Sequence, residues 1–362
     1  MSLTCGIVGL PNVGKSTLFN ALSNTKAESA NFPFCTIEPN VGLVSIPDVR
    51  LLTLAKIAQS EQIVPTTIEF VDIAGLVKGA AEGKGKGNAF LSNIREVDLI
   101  IHVVRCFDDD DIIHVEGSVD VQRDISIIEY ELILKDIESL EKKIQNLSKQ
   151  SKSGDKEAKS VLDDAKELLA HLEEGNSARS FREGEVLFRD LFLLSQKSVL
   201  YACNVSEDDI VARDNSYVQQ VTEYARSQGD ETVSFCAKIE AELAELDDDE
   251  RSMFLEELGI DQAGLARLIT AAYANLGLIT YFTAGPKEAR AWTIRSGLKA
   301  PAAAGVIHTD FERGFIRAET IAFDDYVSFN GEKGAKEAGR MRQEGKEYIV
   351  KDGDVLLFRF NV

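Results

Sequence analysis

Eight residues near the start of the chain, Gly9-Leu10-Pro11-Asn12-Val13-Gly14-Lys15-Ser16, have the composition and spacing of a phosphate grip. Two glycines, four residues between them and a following Lys-Ser let successive backbone N–H groups wrap phosphate oxygens, while the next helix turns its positive end toward them. The nucleotide-binding residues expected here are Asn12, Val13, Gly14, Lys15, Ser16 and Thr17. Lys15 should reach the β- and γ-phosphates and serve catalysis, and the Ser16 hydroxyl should ligate Mg²⁺. Asp72-Ile73-Ala74-Gly75 follows an apolar stretch at a spacing that suits the same site. A strand-end Asp72 is expected to hold the metal through water, and the Gly75 N–H to approach the γ-phosphate. The glycine-rich segment after it, 76–88, is an apt switch that orders on triphosphate. Thr36, between the first helix and the second strand, is expected as another Mg²⁺ ligand.

A base-binding motif lies much later. Asn204-Val205-Ser206-Glu207 ends an apolar run where a GTPase would carry Asn-Lys-x-Asp. Glu207 is one methylene longer than the aspartate that accepts from the guanine edge, and Val205 replaces the lysine that packs on the base. A bidentate contact tolerates little displacement, so strict guanine selectivity should be lost. The alternative keeps Glu207 as a guanine reader. Ala237, within Cys236-Ala237-Lys238, stands at the place of the other base-contacting loop. Leu76 occupies the position where many GTPases use glutamine to orient water. Another group must then help, or turnover is slow. His114, after the acidic run Asp108–Asp111, is the candidate, whereas His102 sits inside an apolar run and reads as core. Asn12 could also help to hold K⁺ against the phosphates.

These loops need strands to carry them. Thr4–Leu10, Val41–Ile46, Thr66–Asp72, Val97–Cys106, Ser198–Asn204 and Thr232–Cys236 read as strands, with a helix over Ser16–Ser23, which gives an α/β domain with its working loops at the strands' carboxyl ends. From Val121 the pattern changes: Ile128, Leu132, Ile133 (or Leu134), Ile137, Leu140, Ile144 and Leu147 recur at threes and fours. A polar turn at 148–155 and a second apolar series through Leu172 complete an antiparallel helical hairpin or short coiled coil. Strands return at Leu278–Thr283, Ala291–Ile294, Phe315–Glu319, Asp325–Val327, Tyr348–Val350 and Asp354–Phe360, a small α+β domain. The expected boundaries are 1–119 and 199–277 for the P-loop domain, 120–198 for the helical insert and 278–362 for the last domain.

Composition narrows the classes. The 362 residues carry a formal net charge of −20, which as a whole repels nucleic acid. From residue 278 onward there are 13 basic and 12 acidic residues, against 27 and 48 before it, so any RNA contact falls to the C-terminal segment. Five cysteines without a CxxC or Cys/His cluster fit reduced thiols rather than disulfides or zinc. Every long apolar run is interrupted short of a membrane span, and the start has no signal-peptide pattern, so the expected compartment is the cytoplasm.

The motifs taken together, Gly9–Ser16, Asn31-Phe-Pro-Phe-Cys-Thr-Ile-Glu-Pro-Asn40, Asp72–Leu76 and Asn204–Glu207, resemble the YchF subfamily of the Obg-like NTPases over the whole chain. The resemblance implies a GTPase-like P-loop domain of the Obg type, the helical insert, and a TGS (β-grasp-like) C-terminal domain. It implies slow Mg²⁺-dependent hydrolysis of ATP, with GTP also bound, and association with the ribosome, chiefly its large subunit. The hydrophobic Leu76, the metal roles of Ser16 and Thr36 and a backbone base contact near Val205 match the same family. Two alternatives remain: a GTP-specific switch, and a nucleotide-regulated RNA- or protein-binding module with incidental turnover.

Overall fold

The computed structural model of the chain describes residues 3–24, 41–73, 94–151, 156–184 and 188–361. Thr36, Gly75 and Leu76 lie outside the described residues, as does 152–155 of the expected 148–155 turn, whose first half continues the preceding helix. Chain contacts divide the molecule into two units. One holds the N-terminal loop and Glu69–Leu268; the other holds Leu43–Ile68 together with Ile269–Val362.

The first sheet contains β1 (Thr4–Val8), β2 (Val41–Ser45), β4 (Thr67–Asp72), β5 (Leu99–Arg105), β6 (Ser198–Asn204) and β7 (Glu231–Phe235), in the order β2-β4-β1-β5-β6-β7. The registers from β4 to β7 are parallel. Every residue of β5 is buried, as a strand must be when both faces of a parallel sheet are covered. His102 belongs to that core, and burial pushes its imidazole down to about 3. Cys5, Cys106, Cys203 and Cys236 are buried free thiols. Helix α1 (Lys15–Asn24) follows β1 directly.

Helices α3 (Val121–Ser151) and α4 (Lys156–Glu173) form the long insert. Ile133, Leu140 and Leu147 of α3 pack with Leu162, Ala165, Leu168 and Leu172 of α4 in one apolar cluster. Ile133 faces that cluster, while Leu134 is about half exposed. Polar side chains fix the root. Asp136, 1% exposed, accepts from the backbone N–H groups of Leu194 (2.7 Å) and Ser195 (2.8 Å) and from the Ser195 hydroxyl (2.6 Å). Burial holds its carboxyl above the ordinary range, partly offset by these donors. Glu129 accepts from Tyr201 on β6 at 3.0 Å and from Tyr224. Short helices α5 (Glu207–Ala212), α6 (Ser216–Gln228), α7 (Ala237–Leu243), α8 (Asp248–Glu257) and α9 (Gly264–Asn275) complete the chain up to the second sheet.

That sheet has the order β11-β10-β12-β8-β9-β3, from β8 (Leu278–Ala284), β9 (Glu288–Arg295), β10 (Phe315–Ala322), β11 (Arg342–Glu344), β12 (Asp354–Phe360) and, unexpectedly, β3 (Gln62–Val64). β3 pairs parallel with β9, Gln62 opposite Glu288. Helix α2 (Val49–Ala58) buries Leu51, Leu54 and Ala55 against Phe282, Ala289, Ala291 and Tyr326. Arg50 binds Asp48 at 2.8 Å and Asp352 at 2.6 Å. Helix α2 and strand β3 therefore pack with the C-terminal strands, although the sequence boundaries assigned them to the P-loop domain.

Two expected strands are corrected. Asp325–Val327 lies in a helix, Phe323–Ser328, whose first turn carries Asp324 and Asp325 at its positive end and whose Tyr326 is buried. Tyr348–Val350 makes only an isolated bridge, Lys299 to Ile349. Its Val350 N–H is instead taken by Leu298 O at 3.0 Å.

Candidate nucleotide-binding site

The loops that follow β1, β5, β6 and β7 converge at one end of the first sheet, where an open-sheet fold places its ligands. Local backbone geometry builds the first loop. Gly9 (φ 152°) and Gly14 (φ 101°) adopt conformations that side chains rarely tolerate. A Cβ on Gly9 would lie 2.5 Å from Val103 O, and one on Gly14 would collide with the Asn204 amide. Asn12 also has positive φ, 63°. The loop turns into α1 at Lys15, so Lys15, Ser16 and Thr17 lie on the helix's first turn, near its free N–H groups.

Lys15 is 7% exposed, and its ammonium donates to Leu10 O at 2.5 Å. Burial pushes its pKa down to about 8, opposed by the charge of Asp72. Asp72 ends β4 opposite Ile7. Burial raises its carboxyl above the ordinary range, and Lys15 pulls the other way. Ser16 is exposed at the helix start. The Ser16 hydroxyl and the Asp72 carboxylate are hard oxygen donors, and burial of that carboxylate is a cost that a cation would relieve. This donor set suits Mg²⁺ held largely by water and phosphate oxygens. Among the described residues there is no group of three or more His, Cys, Asp or Glu that could cage a metal by itself.

Asn204 joins the two ends of the site. Its Nδ2 donates to Val13 O at 3.0 Å, and its Oδ1 accepts from the Ala237 N–H at 3.0 Å. Helix α7 has no side-chain bond from its own cap residue, Cys236, so Asn204 satisfies that first N–H. Asn204 is 4% exposed and carries both bonds in a dry setting. Val205 is buried, and its N–H reaches Phe235 O at 2.9 Å. Glu207 begins α5, whose first turn also holds Asp208 and Asp209. The Glu207 carboxylate pairs with Lys238 at 2.9 Å.

A cavity of about 610 Å³ lies between these elements. Asn12, Gly14 and Thr17 line it from the first loop, and Asn204–Glu207 with Cys236–Lys238 line the opposite end. The third wall comes from Phe107, Asp108, Asp109 and Ile112. Sequence reading passed over that wall, because four successive aspartates there look like an ordinary solvated loop. Asn12, Gly14, Thr17, Asn204, Val205, Glu207 and Ala237 thus meet around one space, with Lys15 and Ser16 beside it.

His114 is not among the residues lining the cavity. It is 8% exposed, with Nε2 2.9 Å from Asp124 Oδ2 and Nδ1 accepting from the Glu116 N–H at 3.2 Å. That pattern places the ring proton on Nε2, facing the carboxylate of α3.

Two family models match the chain. One described as a 50S ribosome-binding GTPase covers residues 4–161. The other, YchF-GTPase_C, described as a protein of unknown function, covers residues 278–361. The ribosome-binding ATPase YchF of Bacillus subtilis is 55% identical over 366 residues, all of both chains. The one from Haemophilus influenzae is 56% identical over 365 residues, again all of both chains. Obg-like ATPase 1 of Pongo abelii is 46% identical, with 99% of this chain and 93% of that protein aligned. Among solved structures, the Schizosaccharomyces pombe YchF GTPase superposes with a TM-score of 0.88 at 38% identity, covering 99% of this chain and 98% of that one. A GTP-binding protein from Pyrococcus horikoshii shares the fold, with a TM-score of 0.60 at 17% identity.

Proposed function

Since the chain belongs to the YchF family of Obg-like P-loop NTPases, we propose that it is a Mg²⁺-dependent nucleoside-triphosphatase that binds ATP and associates with the ribosome. The observation that carries this reading is the cavity shared by the phosphate loop and the Asn204–Glu207 motif, bridged by Asn204. Lys15 and the N–H groups of the loop and first helical turn hold the β- and γ-phosphates. Ser16, Thr36 and, through water, Asp72 would hold Mg²⁺, which would neutralise charge on the phosphates. Gly75 contributes its N–H to the γ-phosphate. The protein's own contribution is positioning and charge neutralisation.

Glu207 favours ATP over strict guanine recognition. The carboxylate is longer than the usual aspartate and is already paired with Lys238. Titration calorimetry of the purified protein with MgATP and MgGTP tests this. ATP should bind at least as tightly as GTP; a GTP preference of about tenfold, 1.4 kcal/mol, would make Glu207 a guanine reader. Running the same titrations and turnover in K⁺ and in Na⁺ tests Asn12 as a cation ligand. Its amide nitrogen is committed to Ile113 O at 3.1 Å, which leaves Oδ1 as its donor.

His114 is the proposed assistant to hydrolysis. Both ring nitrogens are engaged in this structure, Nε2 by Asp124 and Nδ1 by the Glu116 N–H, so the ring must turn from these partners to act on water. His114→Ala should slow single-turnover hydrolysis by about tenfold or more; an unchanged rate removes the histidine from the mechanism. Ribosome association, with the large subunit as partner and RNA contact through the less acidic 278–362 segment (read as TGS-like), follows from the family and the charge distribution. Co-sedimentation with separated subunits in each nucleotide state tests it.

A further inference from the structure

Arg105 ends β5 with its side chain only 2% exposed. A guanidinium removed from water must meet polar partners, or its burial is costly. Here those partners are main-chain carbonyls of a single loop. Nε donates to Phe107 O at 3.1 Å, Nη2 to Asp109 O at 3.0 Å and Nη1 to Ile112 O at 2.8 Å. The guanidinium carbon also lies 4.8 Å from the centre of the Phe107 ring. The loop has no regular secondary structure between 106 and 114 to hold its shape. Three further bonds tie its edges: Asn215 Nδ2 to Cys106 O at 2.8 Å, Tyr217 OH to Asp108 at 2.9 Å, and Asn12 Nδ2 to Ile113 O at 3.1 Å.

The clamped residues Phe107, Asp109 and Ile112 belong to the third wall of the cavity, and the loop starts beside the Asn204–Glu207 motif, where the Cys106 N–H donates to Asn204 O at 2.8 Å. We propose that Arg105 is a positioning residue for the nucleotide base. Its fork fixes the 107–112 segment as a preformed wall, so that ordering the loop is not charged against nucleotide binding. This rests on reading the cavity as the nucleotide site. Phe107 and Ile112 offer the base shape and apolar area, and the carbonyls of Phe107, Asp109 and Ile112 are engaged by Arg105. The wall therefore supports adenine and guanine alike, and discrimination between them stays with the Asn204–Glu207 side.

The test separates base from phosphate. Full-length wild type, Arg105→Met and Arg105→Lys are titrated with MgATP, MgGTP and magnesium tripolyphosphate. In Arg105→Met, ATP and GTP should each weaken by about tenfold or more, by similar factors, with tripolyphosphate affinity retained. Arg105→Lys keeps the charge but cannot span three carbonyls, so it should behave like the methionine variant. If Arg105→Met does not fold, Arg105→Gln carries the same comparison. Equal loss of tripolyphosphate and ATP would reduce Arg105 to a stabilising residue and overturn the proposal, as would unchanged ATP affinity. Wild type binding tripolyphosphate as tightly as ATP would instead overturn the underlying base-site reading.

Discussion

Replacing Lys15 by methionine should lower triphosphate hydrolysis by about 10²–10³ and weaken nucleotide binding with it. The methionine fills similar volume, so the loop keeps its shape while losing the one cation buried within it. Single-turnover kinetics and calorimetry measure the two losses, and a variant within a few-fold of wild type would remove Lys15 from the phosphate site. The same side chain carries a pH signature. Its pKa is about 8 in the fold against 10.5 for the free group. Between those values the unfolded chain holds a proton that the folded chain has released, so stability of the nucleotide-free protein should rise with pH across that window. Below about pH 8 both states are protonated and the cost of the buried charge is present in full. Urea unfolding from pH 7.5 to 10 should show the rise in wild type and a flatter profile in Lys15→Met. A rise of the same size in both would assign it to other groups.

The second large effect belongs to Asn204→Ala. Truncation leaves Val13 O and the Ala237 N–H without their partner in a buried site. Each such loss costs about 1–3 kcal/mol, so the fold should lose at least about 2 kcal/mol. Nucleotide affinity should fall by about 10²-fold, because the bridge between phosphate loop and base end is gone. Asn204→Asp separates the two bonds: it still accepts from Ala237 but cannot donate to Val13. Urea unfolding and MgATP titration give both readouts. An alanine variant with wild-type affinity would show that the two ends of the site are positioned independently of Asn204.

Short, local patterns carried most of what the sequence disclosed. Gly9–Ser16 and Asn204–Glu207 work through adjacent residues and strand ends, and Asn12 and Gly14 of the first line one cavity with the whole of the second. The long amphipathic period of 121–147 became a single helix. What stayed hidden depends on distant partners. Arg105 reads as the charged end of an apolar strand, and nothing in its neighbourhood says that its fork will face three carbonyls. Asp136 and Asp124 interrupt apolar faces and look solvated until their donors arrive from elsewhere in the chain. Asp325-Tyr326-Val327 has strand-forming residues but lacks a strand's neighbours, and the buried Tyr326 suits a helix. The segment of α2 and β3 carries no catalytic motif, so its sequence position between two nucleotide loops suggested membership that its contacts do not support.

That last stretch also sets an order of events during synthesis. Leu51, Leu54 and Gln62 leave the translating machinery more than two hundred residues ahead of Phe282, Glu288 and Ala291, their partners in the finished sheet and core. Contacts of such wide separation form late, because chain closure must be accomplished before they return any stabilisation. Through most of elongation the apolar face of α2 has no core of its own to join, a condition that invites chaperones or premature association. Shortening the gene at its 3′ end would therefore not lift off a self-contained module. It would leave a helix and a strand encoded near the 5′ end permanently without the surface they were built to cover.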